Sequence, residues 1–272
     1  MFRNILKSSP LALFAIQLFN PVVFAQTGDR AANDVTLPGL VDMVRAEVAQ
    51  NVSPTVVFDL DDTTFDTRFK SLMILRDFIA QTSVRAKYKS ETDKIAASLN
   101  DVRIIRATID ETMYGLGITN KSFISIVKEF YAPRMISNWY LSRDVVAPGA
   151  VDYINTLYRT GARIAYITNR GPKLRSGTEK ALRANNLPFE LPGVSLYFNE
   201  KNEDVVAYKA RIMAGINKTS KIVGGFENEP DNINMFITNY PNGFMFFLDT
   251  FTLSHSPLKP GIVVIKNFLI NR

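Results

Sequence analysis

The stretch "TVVFDLDD", residues 55–62, is the feature that most constrains how this chain can fold. An unbroken run of branched and aromatic apolar residues is typical of a strand buried on both faces, as found in parallel sheets covered by helices. Pro54 bounds this run on one side, and Asp59, Asp61 and Asp62 bound it on the other. The acids therefore stand where a buried strand leaves its sheet, either as a solvated turn or as a reaction centre.

Strand and helix patterns alternate after Pro148, which predicts an α/β fold. The first of these helical patterns ends at Gly161, and glycine is a typical residue at the end of a helix. This alternation predicts a Rossmann-like, open and mostly parallel sheet covered by helices. The helical segments are "APGAVDYINTLYRTG", "KLRSGTEKALRANN" and "DVVAYKARIMAGI", and the strand segments are "ARIAYITNRG", "SLYF", "KIVGGFE", "GFMFFLD" and "GIVVI".

The segment that follows the first strand has no strand pattern. Residues 66–146 carry apolar residues at helical spacing, with a break at Gly115 to Gly117. We therefore predict an all-helical insertion over 66–146, placed between two parts of one α/β core, 37–65 and 147–272.

The first 25 residues have the pattern of a signal peptide. Arg3 and Lys7 precede an apolar run that ends at Ala25. The alternative is a membrane anchor, but the apolar run is shorter than the roughly 20 residues that a membrane span needs. We expect cleavage after Ala25, no stable membrane insertion afterwards, and an exported protein, either periplasmic or secreted.

A polar linker is expected over residues 26–36, followed by a short helix. Leu40, Val41, Val44 and Val48 fall at helical spacing in this second segment. We expect this helix to pack on the main domain.

Composition excludes several kinds of chemistry. The chain has no cysteine, so disulfides, thiolate catalysis and cysteine-bound zinc are impossible, and its single histidine, His255, cannot form a histidine-rich zinc site. The formal net charge is +6, and removal of Arg3 and Lys7 with the leader leaves 30 cations against 26 acids, or +4. This mild excess suits anionic small molecules, but it forms no basic run that would indicate a nucleic-acid partner.

Polar residues stand at the predicted ends of several strands. Asp59 and Asp61 follow the first strand, Thr168 with Asn169 follows the second, and Glu227 ends a later one. In open α/β sheets, ligands bind outside the carboxyl ends of the strands. Two carboxylates at such an edge repel each other unless a cation or a proton intervenes. Mg²⁺ suits this position because it takes carboxylate and carbonyl oxygens.

Four segments, in order, resemble the signatures of the haloacid dehalogenase (HAD) superfamily of phosphohydrolases. "DLDDTT" is similar to the first signature, "AYITN" to the second, "VVAYKARIM" to the third and "KIVGGFENEPD" to the fourth. The resemblance covers about residues 54–250 apart from the insertion. Its pattern is closest to the exported acid phosphatases of that superfamily.

The resemblance implies roles for the residues at the signature positions. Asp59 would be the nucleophile that forms an aspartyl-phosphate, and Asp61 would be the general acid and base. Thr168 and Lys209 would hold the phosphoryl oxygens, and Asn169 and Arg170 would be further phosphate or substrate contacts.

The resemblance also implies a magnesium site and a cap. Mg²⁺ would be held by the Asp59 carboxylate, the Asp61 main-chain carbonyl and an acid of the fourth signature. We rank Glu227 first and Asp231 second for that acid, with Glu229 lying between them in the chain. The helical insertion would form a cap over the site and contact the part of the substrate beyond its phosphate.

The sequence therefore predicts a magnesium-dependent phosphomonoester hydrolase that acts on a small phosphorylated molecule. The alternative is a catalytically weak or inactive protein of the same fold that binds a ligand or partner, because "GFENEPD" departs from the usual fourth signature. A third possibility keeps the nucleophile and cleaves a carbon–halogen or phosphonate bond. Asp61 and Lys209 favour phosphate esters over this third chemistry.

Overall fold

The computed structural model describes residues 29–252 and 254–270. The predicted signal peptide over 1–25 and the first part of the predicted linker lie outside these residues. No helix within the described ranges combines the length and the apolar character that a membrane span requires.

Within the described residues, eight strands form two sheets, and the larger sheet carries the fold. The strands are β1 (Pro54–Phe58), β2 (Phe65–Asp66), β3 (Val145–Val146), β4 (Arg163–Thr168), β5 (Val194–Phe198), β6 (Lys221–Glu227), β7 (Phe244–Leu248) and β8 (Ile262–Ile265). Six of them form one parallel sheet in the order β5-β4-β1-β6-β7-β8. The predicted Rossmann-like parallel sheet is confirmed.

The strand order reverses direction at β1. The chain first adds β4 and β5 on one side of β1, and then adds β6, β7 and β8 on its other side. The helices that leave the carboxyl ends of β1 and β6 therefore diverge, and ligands bind in the resulting crevice of such sheets. This topology brings the acids after β1 next to those at the end of β6.

Helices cover the sheet and build the insertion. They are α1 (Asp29–Ala49), α2 (Thr67–Ile79), α3 (Thr82–Lys87), α4 (Lys89–Ser98), α5 (Ile109–Gly115), α6 (Lys121–Met135), α7 (Asn138–Leu141), α8 (Ala150–Thr160), α9 (Arg175–Ala184), α10 (Val205–Ile216) and α11 (Pro230–Asn239). Gly161 ends α8 in the left-handed conformation, with φ of 109°. The predicted stop of this helix is confirmed, because glycine adopts that conformation without a Cβ penalty.

The sheet is buried on both faces, as the continuous apolar pattern of β1 predicts. Val56 and Phe58 point into one hydrophobic cluster, together with side chains of α1, α8 and α9. Val57 points into the other cluster with side chains of α10 and α11. Alternate residues of a strand face opposite sides of the sheet, so one strand stabilises both layers.

The insertion is helical and has a hydrophobic cluster of its own. Helices α2 to α7 lie between β2 and β3 in the chain. The buried residues of this cluster are Leu72, Leu75, Phe78, Ile95, Leu99, Ile105, Met113, Ile118, Phe123, Ile124 and Val127.

A pair of short strands closes the base of the insertion. β2 and β3 are antiparallel, with Phe65 opposite Val146 and Asp66 opposite Val145. We expected no strand from Phe65 to Val146. This prediction is wrong at the two ends of the insertion, where β2 and β3 lie. Two-residue strands are too short to show a periodic pattern in the sequence.

Two helices also differ from the expectations. α1 begins at Asp29, inside the predicted linker 26–36, where Ala31 and Ala32 are strong helix formers. α11 was not predicted, although Pro230 stands at its first turn, a position that proline favours.

The insertion contacts the core through α7 and α9. The Asn138 side chain accepts a hydrogen bond from the backbone N–H of Gly177 at 2.8 Å and donates one to the backbone carbonyl of Lys173 at 2.8 Å. A Cβ atom on Gly177 would lie 2.6 Å from the backbone oxygen of Asn138. The two backbones approach this closely because residue 177 has no side chain.

The substitution Gly177→Ala should therefore destabilise the protein by about 1–3 kcal/mol through overpacking. Gly215→Ala is the matched control, since Gly215 is also helical and its Cβ would meet no atom within 4 Å. Alanine is the better helix former, so this control should gain about 0.5–1 kcal/mol. Urea unfolding of both variants measures the two changes, and equal effects of the two substitutions would contradict the close contact.

Candidate active site

The turn after β1 places Asp59 at the carboxyl end of the sheet. The Asp59 backbone N–H donates to the carbonyl of Phe226 on β6 at 3.0 Å, and its carbonyl accepts from the Thr64 hydroxyl at 2.6 Å. Asp62 adopts a left-handed backbone conformation, with φ of 55°, which aspartate tolerates better than most residues. The turn thus holds the nucleophile candidate rigidly beside the end of β6.

Lys209 of α10 joins Asp59 to Glu227. Its ammonium nitrogen lies 2.6 Å from Asp59 Oδ1 and 2.5 Å from Glu227 Oε2. All three side chains are buried. The structure therefore brings together three of the residues that the sequence predicts for the site.

Both oxygens of Glu227 have partners. Oε2 bonds Lys209, and Oε1 accepts the backbone N–H groups of Asn228 and Glu229 at 3.1 Å each. The extra methylene of a glutamate lets its carboxylate turn back onto the start of the following loop. Asp59, in contrast, bonds Lys209 through one oxygen, and its Oδ2 accepts no hydrogen bond from the described residues.

Two buried carboxylates share a single ammonium group at this site. Burial and the negative charge of Glu227 raise the pKa of Asp59 to about 7, although Lys209 opposes the shift. Burial disfavours the charged form of Lys209, but Asp59 and Glu227 outweigh it and raise the pKa of the ammonium above its usual value. The trio carries an excess negative charge when all three groups are ionised, so a further cation would be stabilised there.

Asp61 is held by a different cation, Arg170. The guanidinium donates from Nε to Asp61 Oδ2 at 2.8 Å and from Nη2 to Asp61 Oδ1 at 2.7 Å. Burial alone would raise the pKa of Asp61, but Arg170 and then Lys70 lower it well below its usual range. Asp61 is therefore a carboxylate when no substrate is bound.

The other two predicted phosphate contacts lie at the end of β4. Thr168 is buried, and its hydroxyl accepts the backbone N–H of Arg170 at 3.2 Å. Asn169 is exposed, and its side-chain oxygen accepts a hydrogen bond from Asn199 at 2.8 Å. Thr168 thus supports the residue that holds Asp61, while Asn169 is bonded to the end of β5.

The structure does not bring Asp231 to this group. Its side chain is exposed on the first turn of α11, where Ser256 and Ser254 hydrogen-bond the carboxylate and lower its pKa. Glu229 bonds the Thr252 hydroxyl at 2.9 Å. The Glu229 carboxylate therefore bonds the segment after β7, although its backbone N–H bonds Glu227, and the Asp231 carboxylate bonds Ser254 and Ser256.

The donor atoms fit Mg²⁺ at Asp59 and Asp61. The Asp59 carboxylate and the main-chain carbonyl of Asp61 are hard oxygen donors of the kind that this ion takes. Within residues 29–252 and 254–270, no three acidic or histidine side chains form a ready-made metal cluster. Glu227 Oε2 accepts one hydrogen bond, from Lys209, and keeps a lone pair that a metal ion would use.

Sequence reasoning missed three buried residues around the site. Asn228 accepts a hydrogen bond from the Thr63 hydroxyl at 3.1 Å and donates one to the carbonyl of Phe251 at 2.6 Å. Lys70 and Asp144 form a buried ion pair at 3.1 Å. Asn228 follows Glu227 directly, so the fourth signature could have indicated it. Lys70 and Asp144 are far apart in the chain, so no sequence pattern links them to the site.

A protein-family model identifies the family to which this chain belongs. The model of HAD superfamily, subfamily IIIB (Acid phosphatase) matches residues 74–236, more than half of the chain. The chain belongs to this family of HAD acid phosphatases. The protein is therefore a hydrolase that acts on phosphoric monoesters, and the family implies a small phosphorylated substrate. The matched range includes Thr168, Lys209 and Glu227 and begins after Asp59 and Asp61.

Several solved structures are similar to this chain at low sequence identity. A class C acid phosphatase from Bacillus anthracis with tungstate bound is 15% identical over 89% of this chain and 80% of that chain, with a TM-score of 0.44. A putative phosphatase from Clostridium difficile is 13% identical over 79% of this chain and 95% of that chain, with a TM-score of 0.47. A hydrolase from Streptococcus pneumoniae is 14% identical over 64% and 80%, with a TM-score of 0.40. A search of curated proteins found no match.

Proposed function

We propose that the protein hydrolyses a small phosphomonoester through an aspartyl-phosphate on Asp59, with Mg²⁺ as its cofactor. The observation that supports this most is the buried trio of Asp59, Lys209 and Glu227 at the carboxyl end of β1 and β6. Asp59 has one carboxylate oxygen bonded to Lys209 and a second oxygen available for attack. A positioned carboxylate of this kind divides one difficult displacement into two easier ones.

In the first step, Asp59 attacks phosphorus and the ester P–O bond breaks. The departing alkoxide takes a proton from Asp61, and Lys209 faces the negative charge that develops near Asp59. Asp61 starts as a carboxylate beside Arg170. The incoming phosphate adds negative charge next to Asp61, which raises its pKa, so Asp61 takes up a proton from solvent as the substrate binds and before the alkoxide departs.

In the second step, water attacks the phosphorus of the aspartyl-phosphate. Asp61 takes the proton of this water, the bond between Asp59 and phosphorus breaks, and inorganic phosphate leaves. Asp59 is then a free carboxylate again, and Asp61 holds the proton from water, which it returns to solvent when phosphate leaves, so the cycle balances.

Mg²⁺ would be held by the Asp59 carboxylate and the Asp61 main-chain carbonyl, with Glu227 or Asn228 next to them. Phosphatases of the HAD superfamily generally use this ion, and the excess negative charge of the trio supports the proposal. When bound, Mg²⁺ supplies positive charge that offsets the repulsion between the carboxylates and the phosphate. Asp231 is the weaker candidate for a ligand, because Ser254 and Ser256 hold its exposed carboxylate.

Asp59→Asn should lower kcat for 4-nitrophenyl phosphate by roughly three orders of magnitude or more, because the nucleophile is lost. The variant should stay folded, since it leaves one carboxylate, Glu227, opposite Lys209. Acid-quenched wild-type protein should carry a phosphoryl group on the peptide that contains Asp59, as read by mass spectrometry. Asp42→Asn, an exposed acid of α1, is the control and should behave as wild type.

Two outcomes would contradict this proposal. Turnover that survives in the Asp59→Asn variant would remove Asp59 as nucleophile. Phosphate binding by the wild type without any turnover would favour the alternative, a binding protein of the same fold.

We also propose that the protein is exported. The basic residues Arg3 and Lys7 and the short apolar run that ends at Ala25 support a cleaved leader. Amino-terminal sequencing of the protein from the exported fraction of the cells that make it should begin at Gln26. Recovery of the uncleaved chain from the cytoplasm would contradict export.

A further inference from the structure

Three buried charged side chains form a network with Asp61, and the proposed mechanism does not explain why they are there. Asp61 pairs with Arg170, Arg170 pairs with Asp144, and Asp144 pairs with Lys70 of α2. Lys70 also lies 3.4 Å from Asp61, which closes the ring. Asp61 is 38% exposed at its side chain, whereas the side chains of Asp144, Lys70 and Arg170 are 0%, 2% and 4% exposed.

The network is balanced in charge. Two carboxylates and two cations lie together, so each buried ion has a partner of opposite sign. Removing one member of a buried pair leaves an uncompensated charge and is strongly unfavourable. Asp61, the exposed member, therefore depends on three buried groups that stand behind it.

Arg170 fixes the plane of the Asp61 carboxylate. Nε and Nη2 bond the two oxygens of Asp61, and Nη2 also donates to Asp144 Oδ2 at 2.6 Å. Nη1 donates to the Thr178 hydroxyl at 3.0 Å. Two parallel bonds from a planar guanidinium hold a carboxylate in one orientation, and the bonds to Asp144 and Thr178 hold the guanidinium itself.

Asp144 is fixed in turn by its own backbone. Its carbonyl accepts a hydrogen bond from the Asn185 side chain at the end of α9 at 2.9 Å, and its N–H donates to the carbonyl of Leu141 at 3.0 Å. The next residue, Val145, pairs with Asp66 at the base of the cap. Asp144 is thus attached both to the core and to the strand pair that closes the insertion.

We propose that Asp144 is a positioning residue for the phosphatase reaction, which holds Arg170 and Lys70 so that the Asp61 carboxylate stays oriented toward the leaving group. Asp144 does not touch the substrate and acts only through these two cations. The inference rests on the proposed role of Asp61 as proton donor. It connects the base of the cap to proton transfer in the site.

The test compares a good and a poor leaving group. Nitrophenolate leaves without a proton, whereas an alkoxide needs one from Asp61, and general acid catalysis contributes about 10²–10⁴-fold. In Asp144→Asn, kcat/KM for glycerol 2-phosphate should fall by roughly 10²-fold, and kcat/KM for 4-nitrophenyl phosphate by less than about tenfold. A residue with a merely structural role would lower both values equally.

A matched control and a second variant keep the test decisive. Asp77→Asn removes another carboxylate of the insertion, which bonds the Tyr140 hydroxyl at 2.7 Å and does not touch Asp61 or Arg170. It should leave the ratio of the two kcat/KM values unchanged. If Asp144→Asn does not fold, the double variant Lys70→Met/Asp144→Asn removes one cation and one anion and keeps the network neutral. It should show the same selective loss, because Arg170 still lacks its anchor.

Equal losses on the two substrates, or no loss on either, would overturn the positioning role. These results differ from a failure of the proposed function, which would appear as turnover in Asp59→Asn. A selective loss on glycerol 2-phosphate, absent from the Asp77→Asn control, supports the role of Asp144.

Discussion

One buried ammonium group, that of Lys209, stands between two buried carboxylates, Asp59 and Glu227, and the site depends on this arrangement. A buried carboxylate without a partner is strongly disfavoured, and one cation cannot neutralise two of them. Burial and then the negative charge of Glu227 raise the pKa of Asp59, and Lys209 offsets only part of this rise. The site is therefore prepared for additional positive charge near Asp59, which a divalent ion would supply beside the phosphate dianion of the substrate.

The parallel sheet makes this arrangement possible. β1 and β6 are neighbours in the sheet although they are far apart in the chain, and their carboxyl ends lie at the same edge. The order of strands reverses at β1, so the crevice opens where Asp59 and Glu227 end their strands. α10 packs beside β6 and brings Lys209 in from the side.

Site residues that stand at a strand end or in a signature motif could be predicted from the sequence. Site residues that are recognisable only by their contacts with distant parts of the chain could not. Asp59, Lys209 and Glu227 follow from strand ends and signature order, and the structure places them together. Asp231 has the right spacing, yet the helix that begins at Pro230 carries it to an exposed face. Lys70 and Asp144 looked like ordinary helix and loop residues, because they are far apart in the chain and form an ion pair beside Asp61 only in the folded molecule. Burial of a charge is a property of the folded molecule, which residue types alone do not report.

Calorimetric titration of Mg²⁺ into the chelator-treated protein tests the central claim most directly. We expect Mg²⁺ to bind to the wild type, Asp59→Asn to lose this binding, and chelation to abolish turnover until Mg²⁺ is restored. Equal binding by the two proteins, no binding by the wild type, or full turnover in excess chelator would contradict the claim that the trio requires added positive charge.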